Sequence, residues 1–342
     1  MNRRLYLTGS AALQLILLLV LIACKPSGSP KDEPAEAVAA PEPLPSWQEP
    51  VAEEIMNYVQ AVTDSSSADF IPVKERIATF DNDGTLWSEQ TLYFQLLFVF
   101  DRIKEMAPQH PEWRETQPYQ AVLEGDMETL MSFGVEGLLE LAMATHAGMT
   151  TEEFDRSVSA WIDTAKHPQK NVLFTELIYQ PMQELIDYLE DHDFKVFIVS
   201  GGGIDFMRVW VEDIYGLPKD QVVGTSIKKE YDYNEGQPVI RRLAEMDLID
   251  DKGGKPVGID RYIGRKPVLS AGNSDGDLQM MRWTDANAHK TLKLYLHHTD
   301  ADREWAYDRK SHIGRFDAAL DEAQQKGWLI VDMKKDWRQV YP

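Results

Sequence analysis

The stretch Phe80-Asp81-Asn82-Asp83-Gly84-Thr85-Leu86 follows the short run Arg76 to Phe80 (RIATF) and decides the fold. β-branched and aromatic residues that end at polar ones predict a buried strand leading into a loop. Asp81 and Asp83 stand two positions apart, so their side chains point to the same side at the strand's end. An isolated Asp-x-Asp-Gly also occurs in turns and calcium loops, but the Glu that ends a calcium loop does not follow at the required spacing.

Other short apolar runs end at polar clusters in the same way. The predicted strands are Lys195–Ser200, Val222–Thr225, Pro267–Ser270, Leu292–Leu296 and a short one near Val331. Amphipathic helices are predicted over Val51–Val62, Thr175–Glu190 and Ile204–Tyr215, and a hairpin over Ile227–Ile240 with its turn at residues 234–236. Strands that alternate with helices predict an α/β fold with a doubly wound parallel sheet. The polar clusters would then meet at the carboxyl edge of that sheet.

The segment 92–174 interrupts this alternation with a block of helix formers and apolar stripes. We therefore expect a core built from residues 47–91 and 175–342, with a helical insertion over residues 92–174. The formal net charge of −21 and the pI of about 4.8 argue against a nucleic-acid partner, because phosphate backbones require basic surfaces.

The N-terminal residues 1–24 have the layout of a secretory signal, with Arg3-Arg4, an apolar stretch and Leu21-Ile22-Ala23-Cys24. The single Cys after a small residue resembles the lipobox of bacterial lipoproteins, which implies a lipid on Cys24 as the contact with the membrane. An uncleaved anchor that begins at Leu5 is the alternative. Residues 25–46 are rich in Pro, Ala and Glu and are predicted to be a tether. Lys25 follows the Cys, so we expect an exported protein on the outer membrane, facing the periplasm, if the source has two membranes.

The two aspartates suit the hydrolysis of a phosphomonoester. One carboxylate, Asp81, can attack phosphorus and hold Mg²⁺, and the other, Asp83, can protonate the leaving oxygen and then activate water. Thr85 offers a hydroxyl or N–H group to the phosphate. Ser200 and Gly201, at a strand-to-helix turn, form a natural phosphate cradle. The expected substrate is a small phosphorylated metabolite.

These motifs, in this order, resemble the haloacid dehalogenase superfamily, and specifically its phosphoserine-phosphatase-like branch. The matching stretches are Phe80–Leu86, Val199–Gly202, Lys255 and Gly272–Asp277. The resemblance implies that Asp81 is the nucleophile, Asp83 the acid and base, and Lys255 a catalytic cation. It implies Mg²⁺ as cofactor, held by Asp81, Asp83, Asn273 and Asp277, and a helical cap at residues 92–174.

Several departures from the family pattern leave alternatives open. Asn273 stands where that family usually has Asp, and Asp275 is a second candidate ligand. Lys252 and Lys266 compete with Lys255 for the role of the active-site lysine. The phosphoserine enzymes carry a Glu nine positions after the nucleophile, whereas this chain has Gln90, with Glu89 beside it.

Two alternative functions stay open. One is a phosphoserine phosphatase proper, against which the departure at position 90 weighs; the other, which Asn273 motivates, is a catalytically silent binding lipoprotein on the same fold. A dehalogenase or phosphotransferase would use the same nucleophile. The pair His297-His298 invites a metal site. Adjacent strand residues point to opposite faces, however, so we expect supporting roles for both.

Overall fold

The computed structural model describes residues 43–234 and 236–342. Its strands are β1 Ile77–Phe80, β2 Lys195–Gly203, β3 Val222–Asn234, β4 Gln237–Leu248, β5 Leu269–Gly272, β6 Leu292–His297 and β7 Leu329–Asp332. They form one sheet in the order β4-β3-β2-β1-β5-β6-β7, in which every neighbouring pair is parallel except β3 and β4. The predicted α/β fold with a mostly parallel sheet is therefore confirmed.

The strand order reverses at β1. The chain builds outward from β1 through β2 to β3, and then returns to the other side of β1 with β5. β1 and β5 pair directly, with Ala78 opposite Leu269 and Phe80 opposite Ala271. A reversal of this kind opens a crevice at the carboxyl ends of the strands. The residues that follow β1 and β5 lie on either side of it.

Helices cover both faces of the sheet. The helices are α1 Val51–Thr63, α2 Phe94–Met106, α3 Tyr119–Glu124, α4 Met127–Ser132, α5 Gly134–His146, α6 Thr151–Ile162, α7 Gln180–Glu190, α8 Ile204–Tyr215, α9 Gly254–Tyr262, α10 Leu278–Asp285, α11 Ala318–Lys326 and α12 Met333–Asp336. Ile198 packs into the large core that includes residues of α1, α7 and α8, whereas the next residue, Val199, packs with Ile259 of α9 and Met280 of α10. Because both faces of the sheet are covered, all four residues of β1 are buried.

The helical insertion has a core of its own. Apolar residues of α2 to α5 form a separate cluster that includes Val99, Leu130 and Leu141. The last helix of the block, α6, instead joins the main core through Phe154, Val158 and Ile162. The insertion is also bound to the β3–β4 hairpin, since the Arg242 N–H donates to the Met149 carbonyl at 2.9 Å.

Some element boundaries differ from the prediction. The hairpin continues to Leu248 and merges with the strand that starts at Val222, because β4 gains partners in the insertion as well as in β3. The helix predicted from Thr175 begins at Gln180, because Leu177 and Tyr179 bond to Ser88 and Leu86 in the loop after β1. Pro181 then stands in the first turn of the helix. β5 covers Leu269–Gly272 rather than Pro267–Ser270, since its start is set by its register with β1.

The predicted signal at residues 1–24 and nearly all of the tether at 25–46 lie outside the described residues. Among residues 43–234 and 236–342, no helix is long and apolar enough to span a membrane.

Candidate active site

A buried lysine joins two carboxylates at the carboxyl edge of the sheet. Lys255 Nζ donates to Asp81 Oδ1 at 2.6 Å, to Asp277 Oδ1 at 2.5 Å and to the Val199 carbonyl at 2.9 Å. The lysine side chain is only 2% exposed. Burial alone would lower its pKa, but Asp277 and Asp81 outweigh that effect and raise the pKa of Lys255 well above its usual value. Lys255 therefore carries a permanent positive charge against Asp81.

The sheet places these residues together although they are far apart in the chain. Asp81 directly follows β1, and its N–H donates to the Ala271 carbonyl of β5 at 2.9 Å. Asp277 folds back under the loop after β5, where its Oδ2 accepts the N–H groups of Asn273 and Ser274 at 3.0 Å each. A Cβ atom on Gly272 would lie 2.5 Å from Asp277 Cγ, so only glycine fits there. The matching stretch Gly272–Asp277 is thus a compact loop built around the Asp277 carboxylate.

The other candidate lysines and the other acid lie elsewhere. Lys252 is exposed, 4.0 Å from Asp251, and Lys266 donates to the Ala286 carbonyl at 3.0 Å. The Asp275 carboxylate accepts the N–H groups of Asp317 and Ala319 at the start of α11. Of the three lysines, only Lys255 contacts Asp81 in the structure, and Asp275 is directed away from it.

Asp83 lies between the first motif and the Gly-rich loop. Its Oδ1 accepts the indole N–H of Trp87 at 2.8 Å, and a Cβ atom on Gly202 would lie 3.6 Å from its Oδ2 and 3.3 Å from Ser200 Oγ. Asp83 is therefore adjacent to the predicted phosphate cradle. Desolvation raises the pKa of Asp83, which favours the protonated form that a general acid needs.

The cradle of Ser200 and the glycines is already hydrogen-bonded in this structure. Ser200 Oγ accepts the Gly202 N–H at 3.0 Å, and the Gly203 N–H donates to Gln95 Oε1 at 2.6 Å. The Gly201 carbonyl accepts from the Thr225 hydroxyl at 2.8 Å. Gln95 belongs to α2 of the insertion, so the insertion reaches the cradle directly. Sequence reasoning missed Gln95, because nothing in the local pattern of an amphipathic helix marks it.

Thr85 lies beside Asn273 at the foot of the loop after β1. The side chain is fully buried, its hydroxyl lies 3.4 Å from Asn273 Oδ1, and its N–H donates to the Asn82 carbonyl at 3.1 Å. Both groups that were expected to bind phosphate thus contact the protein itself. In this structure Thr85 contacts the loop and Asn273, and its binding of phosphate stays a prediction.

Two further residues complete the site, Glu89 and Tyr307. Glu89 is buried, and its Oε1 accepts from Asn273 Nδ2 at 2.6 Å and from the Tyr307 hydroxyl at 2.8 Å. In the sequence, Glu89 is marked only as the neighbour of position 90, and no motif marks Tyr307.

The two histidines after β6 have separate surroundings, as their adjacency predicts. His298 is buried, with Nε2 2.7 Å from the Gly84 carbonyl and Nδ1 3.3 Å from Glu304 Oε2. His297 is half-buried, with Nε2 3.8 Å from Asp308. The pair does not share a ligand site. His298 instead holds the backbone of the catalytic loop, the segment of residues 81–89 that follows β1.

The donor set fits Mg²⁺. Within the described part of the chain no three His, Cys, Asp or Glu side chains are arranged around a single point as metal ligands. The expected set, however, consists of the Asp81 and Asp277 carboxylates, the Asn273 amide oxygen and the Asp83 backbone carbonyl, all hard oxygen donors. Burial raises the pKa of Asp81 well above its usual value, and the neighbouring Asp277 carboxylate raises it further. Burial likewise raises the pKa of Glu89 well above its usual value. A divalent cation at this place would act against the desolvation and favour the ionised forms of these carboxyl groups.

The sequence matches the haloacid dehalogenase-like hydrolase family over residues 78–282, more than half of the 342 residues. The chain belongs to this family. No match was found among curated proteins. The matched range begins in β1 and ends in α10, so it contains all four motifs of the site.

Solved structures with the same fold are distant in sequence. The chain is similar to a conserved functionally unknown protein from Anaerococcus prevotii DSM 20548, at 17% identity over 82% of this chain and 90% of that chain, with a TM-score of 0.50. A protein of unknown function from Bordetella pertussis Tohama I has 13% identity over 76% and 99% of the two chains and a TM-score of 0.46. A phosphoserine phosphohydrolase-like protein from Francisella tularensis has 16% identity over 65% and 88%, with a TM-score of 0.37. At these identities the similarity concerns the fold.

Proposed function

We propose that this haloacid dehalogenase-like hydrolase is a Mg²⁺-dependent phosphatase that hydrolyses small phosphomonoesters through an aspartyl-phosphate on Asp81. The observation that carries the proposal is the contact between Lys255 Nζ and Asp81 Oδ1 at 2.6 Å beside the Ser200 cradle. A buried ammonium beside a buried carboxylate acts against the burial that raises the pKa of Asp81, and it lowers the repulsion between that carboxylate and an incoming phosphate.

The reaction has two steps. In the first, an oxygen of Asp81 forms a bond to phosphorus, the ester P–O bond breaks, and the Asp83 carboxyl group gives its proton to the leaving oxygen. In the second, Asp83 takes a proton from water, the water oxygen bonds to phosphorus, and the bond from phosphorus to Asp81 breaks to release phosphate. Ser200 binds the phosphoryl oxygens in both steps. Bound Mg²⁺ supplies positive charge that offsets the phosphate and carboxylate oxygens.

Hydrolysis of p-nitrophenyl phosphate tests the proposal. The wild-type protein is measured with Mg²⁺ and with a chelator, next to Asp81→Asn and to Glu54→Gln, a matched loss of one charge on the exposed face of α1. We expect Mg²⁺-dependent turnover that Glu54→Gln retains and that Asp81→Asn loses by about 10³-fold or more, as is usual when a nucleophile is removed. Full activity of Asp81→Asn would exclude it as the nucleophile. No metal-dependent turnover by the wild type, on this ester or a panel of others, would exclude the phosphatase.

The proposed enzyme is tethered to a membrane by a lipid on Cys24. The support for this is the sequence alone: an apolar stretch that ends at Ala23-Cys24, followed by a Pro-rich segment. Metabolic labelling with a fatty-acid analogue should mark the wild type and leave Cys24→Ser unlabelled. Labelling of both proteins, or of neither, would contradict the lipid anchor.

A further inference from the structure

The carboxyl group of Glu89 lies between two backbone segments that admit only glycine. A Cβ atom would lie 2.4 Å from Glu89 Oε1 if built on Gly84, and 1.8 Å if built on Gly314. Both glycines also have positive φ angles, +73° and +63°. Glu89 therefore occupies a slot made by the catalytic loop on one side and the loop after β6 on the other. Glycine at both positions leaves the room that the buried carboxyl group of Glu89 needs.

The contact between Glu89 and Asn273 determines how the Asn273 amide is oriented. A carboxylate oxygen accepts hydrogen bonds, so the Asn273 NH₂ group must face Glu89 Oε1 at 2.6 Å. The amide oxygen is then turned the other way, where it lies 3.4 Å from Thr85 Oγ1 on the side of the catalytic loop. Without Glu89, the two orientations of the amide would differ little in energy. Glu89 therefore presents the oxygen of Asn273, and not its nitrogen, to the site.

A second set of contacts holds Glu89 itself. The Tyr307 hydroxyl donates to Glu89 Oε1 at 2.8 Å, and the Tyr307 ring stacks on His298 with centroids 4.3 Å apart. His298 in turn contacts the Gly84 carbonyl at 2.7 Å. The contacts from Glu89 through Tyr307 and His298 therefore end at Gly84, the glycine that makes room for Glu89. Glu89 Oε1 therefore accepts from a second donor besides Asn273.

We propose that Glu89 and Asn273 act as a pair in place of a single metal-binding aspartate: Asn273 supplies the oxygen, and Glu89 supplies the negative charge and sets the amide's orientation. This inference rests on the proposed function, because it assigns the pair to the cation site of that reaction. A hydrogen bond to a charged group polarises the amide and makes its oxygen a stronger ligand. Glu89 is a positioning residue, since it acts through Asn273.

The pair makes an unusual prediction for Asn273→Asp. This substitution introduces the residue that the family usually carries, yet here it would set two carboxylates at the 2.6 Å separation now spanned by a hydrogen bond. Repulsion between like charges at that distance should weaken the site. Adding Glu89→Gln removes the repulsion and leaves a single carboxylate at the two positions 89 and 273. The double variant therefore exchanges the positions of the carboxylate and the amide.

Calorimetric titration with Mg²⁺ alone tests the pair without any need for turnover. We expect Glu89→Gln and Asn273→Asp each to weaken Mg²⁺ binding by about 10- to 100-fold, the usual effect of changing a residue that supports a ligand. We expect the double variant to bind within about threefold of the wild type, because the charge count is restored. The surface variant Glu54→Gln should bind as the wild type does. Circular dichroism and the Tm without Mg²⁺ show whether each variant is folded.

Three results would overturn the pair. They are Mg²⁺ affinity unchanged in Glu89→Gln, Asn273→Asp binding as tightly as the wild type or more so, and no Mg²⁺ binding by the wild type. If Asn273→Asp does not fold, Glu89→Gln and Tyr307→Phe decide, since both should weaken binding and Tyr307→Phe should do so less. Mg²⁺ binding by the wild type without turnover on any phosphate ester would refute the phosphatase and leave the pair standing.

Discussion

His146 provides a quantitative test of how the insertion packs on the core. The imidazole is buried at the end of α5, with Nδ1 2.7 Å from the Thr145 hydroxyl and its ring 4.7 Å from that of Phe154. Its Nε2 has no hydrogen-bond partner among the described residues. Burial, and after it the nearby Arg242 guanidinium, lower the pKa of His146 to about 3. The folded protein therefore holds this histidine neutral well into the acid range.

The sign and size of the effect follow from proton linkage. The unfolded chain takes up a proton on His146 below a pKa of about 6.5, and the folded chain does not, so stability falls as the pH is lowered below that value. Between pH 7.5 and pH 5.0 the loss is about 1.4 kcal/mol per pH unit below 6.5, or about 2 kcal/mol from this one residue. Other titrating groups add to the total, so the residue's share must be measured by difference.

The assay is urea unfolding, followed by tryptophan fluorescence at the two pH values. His146→Leu removes the titrating group and keeps an apolar side chain against Phe154. Its free energy of unfolding should fall by about 2 kcal/mol less than that of the wild type when the pH goes from 7.5 to 5.0. His312→Asn, a change at an exposed histidine, should fall as the wild type does. An equal fall in wild type and His146→Leu would refute the reasoning.

Three further predictions concern the site and its surroundings. Lys255→Met should abolish turnover and lower the free energy of unfolding by about 3–5 kcal/mol, because it leaves buried carboxylates without their cation; urea unfolding and p-nitrophenyl phosphate hydrolysis measure the two effects. Ser200→Ala should lower kcat/KM by about 10- to 100-fold and weaken inhibition by inorganic phosphate, because a hydrogen bond to a charged group is lost. Asp250 is fully buried, and neither carboxyl oxygen has a partner among the described residues, so burial raises its pKa to about 7. As the pH rises from about 4 to 7, the unfolded chain releases this proton while the folded chain keeps it, so the contribution of Asp250 to stability falls over that range. Asp250→Asn should therefore be more stable than the wild type at pH 8 by about 1–4 kcal/mol in urea unfolding. Equal stability of the two proteins at pH 8 would contradict that assignment.

The fold was predictable where one strand carries its own signal. Runs such as Lys195–Ser200 are apolar over a short length and stop at glycine or polar residues, and each became a strand. Boundaries that depend on a partner strand were wrong. The bond from the Val268 N–H to the Ile77 carbonyl at 2.8 Å, and the β1 register that follows it, set the start of β5. The residues of β5 do not show which residues of β1 will pair with them.

In the site, too, some residues are marked by local sequence and others are identified only by their contacts with distant residues. Asp81, Asp83, Ser200 and Asp277 are marked by position after a strand, and the structure brings them together. Glu89 and Gln95 act through contacts with residues 184 and 108 positions away, so no local pattern reveals them. The sequence shows that Asn273 departs from the family pattern. Its contact with Glu89 is apparent only from the structure.

The most direct test of the central claim is to find the phosphoryl group on the enzyme. Asp83→Asn should slow the release of phosphate from Asp81, because no base remains at that place to activate water. After brief incubation with p-nitrophenyl phosphate and Mg²⁺ and an acid quench, peptide mass spectrometry should find one alkali-labile phosphoryl group on Asp81. The double variant Asp81→Asn/Asp83→Asn should carry none. A phosphoryl group on another residue such as Ser200, or none on an enzyme that still turns over, would contradict Asp81 as the nucleophile.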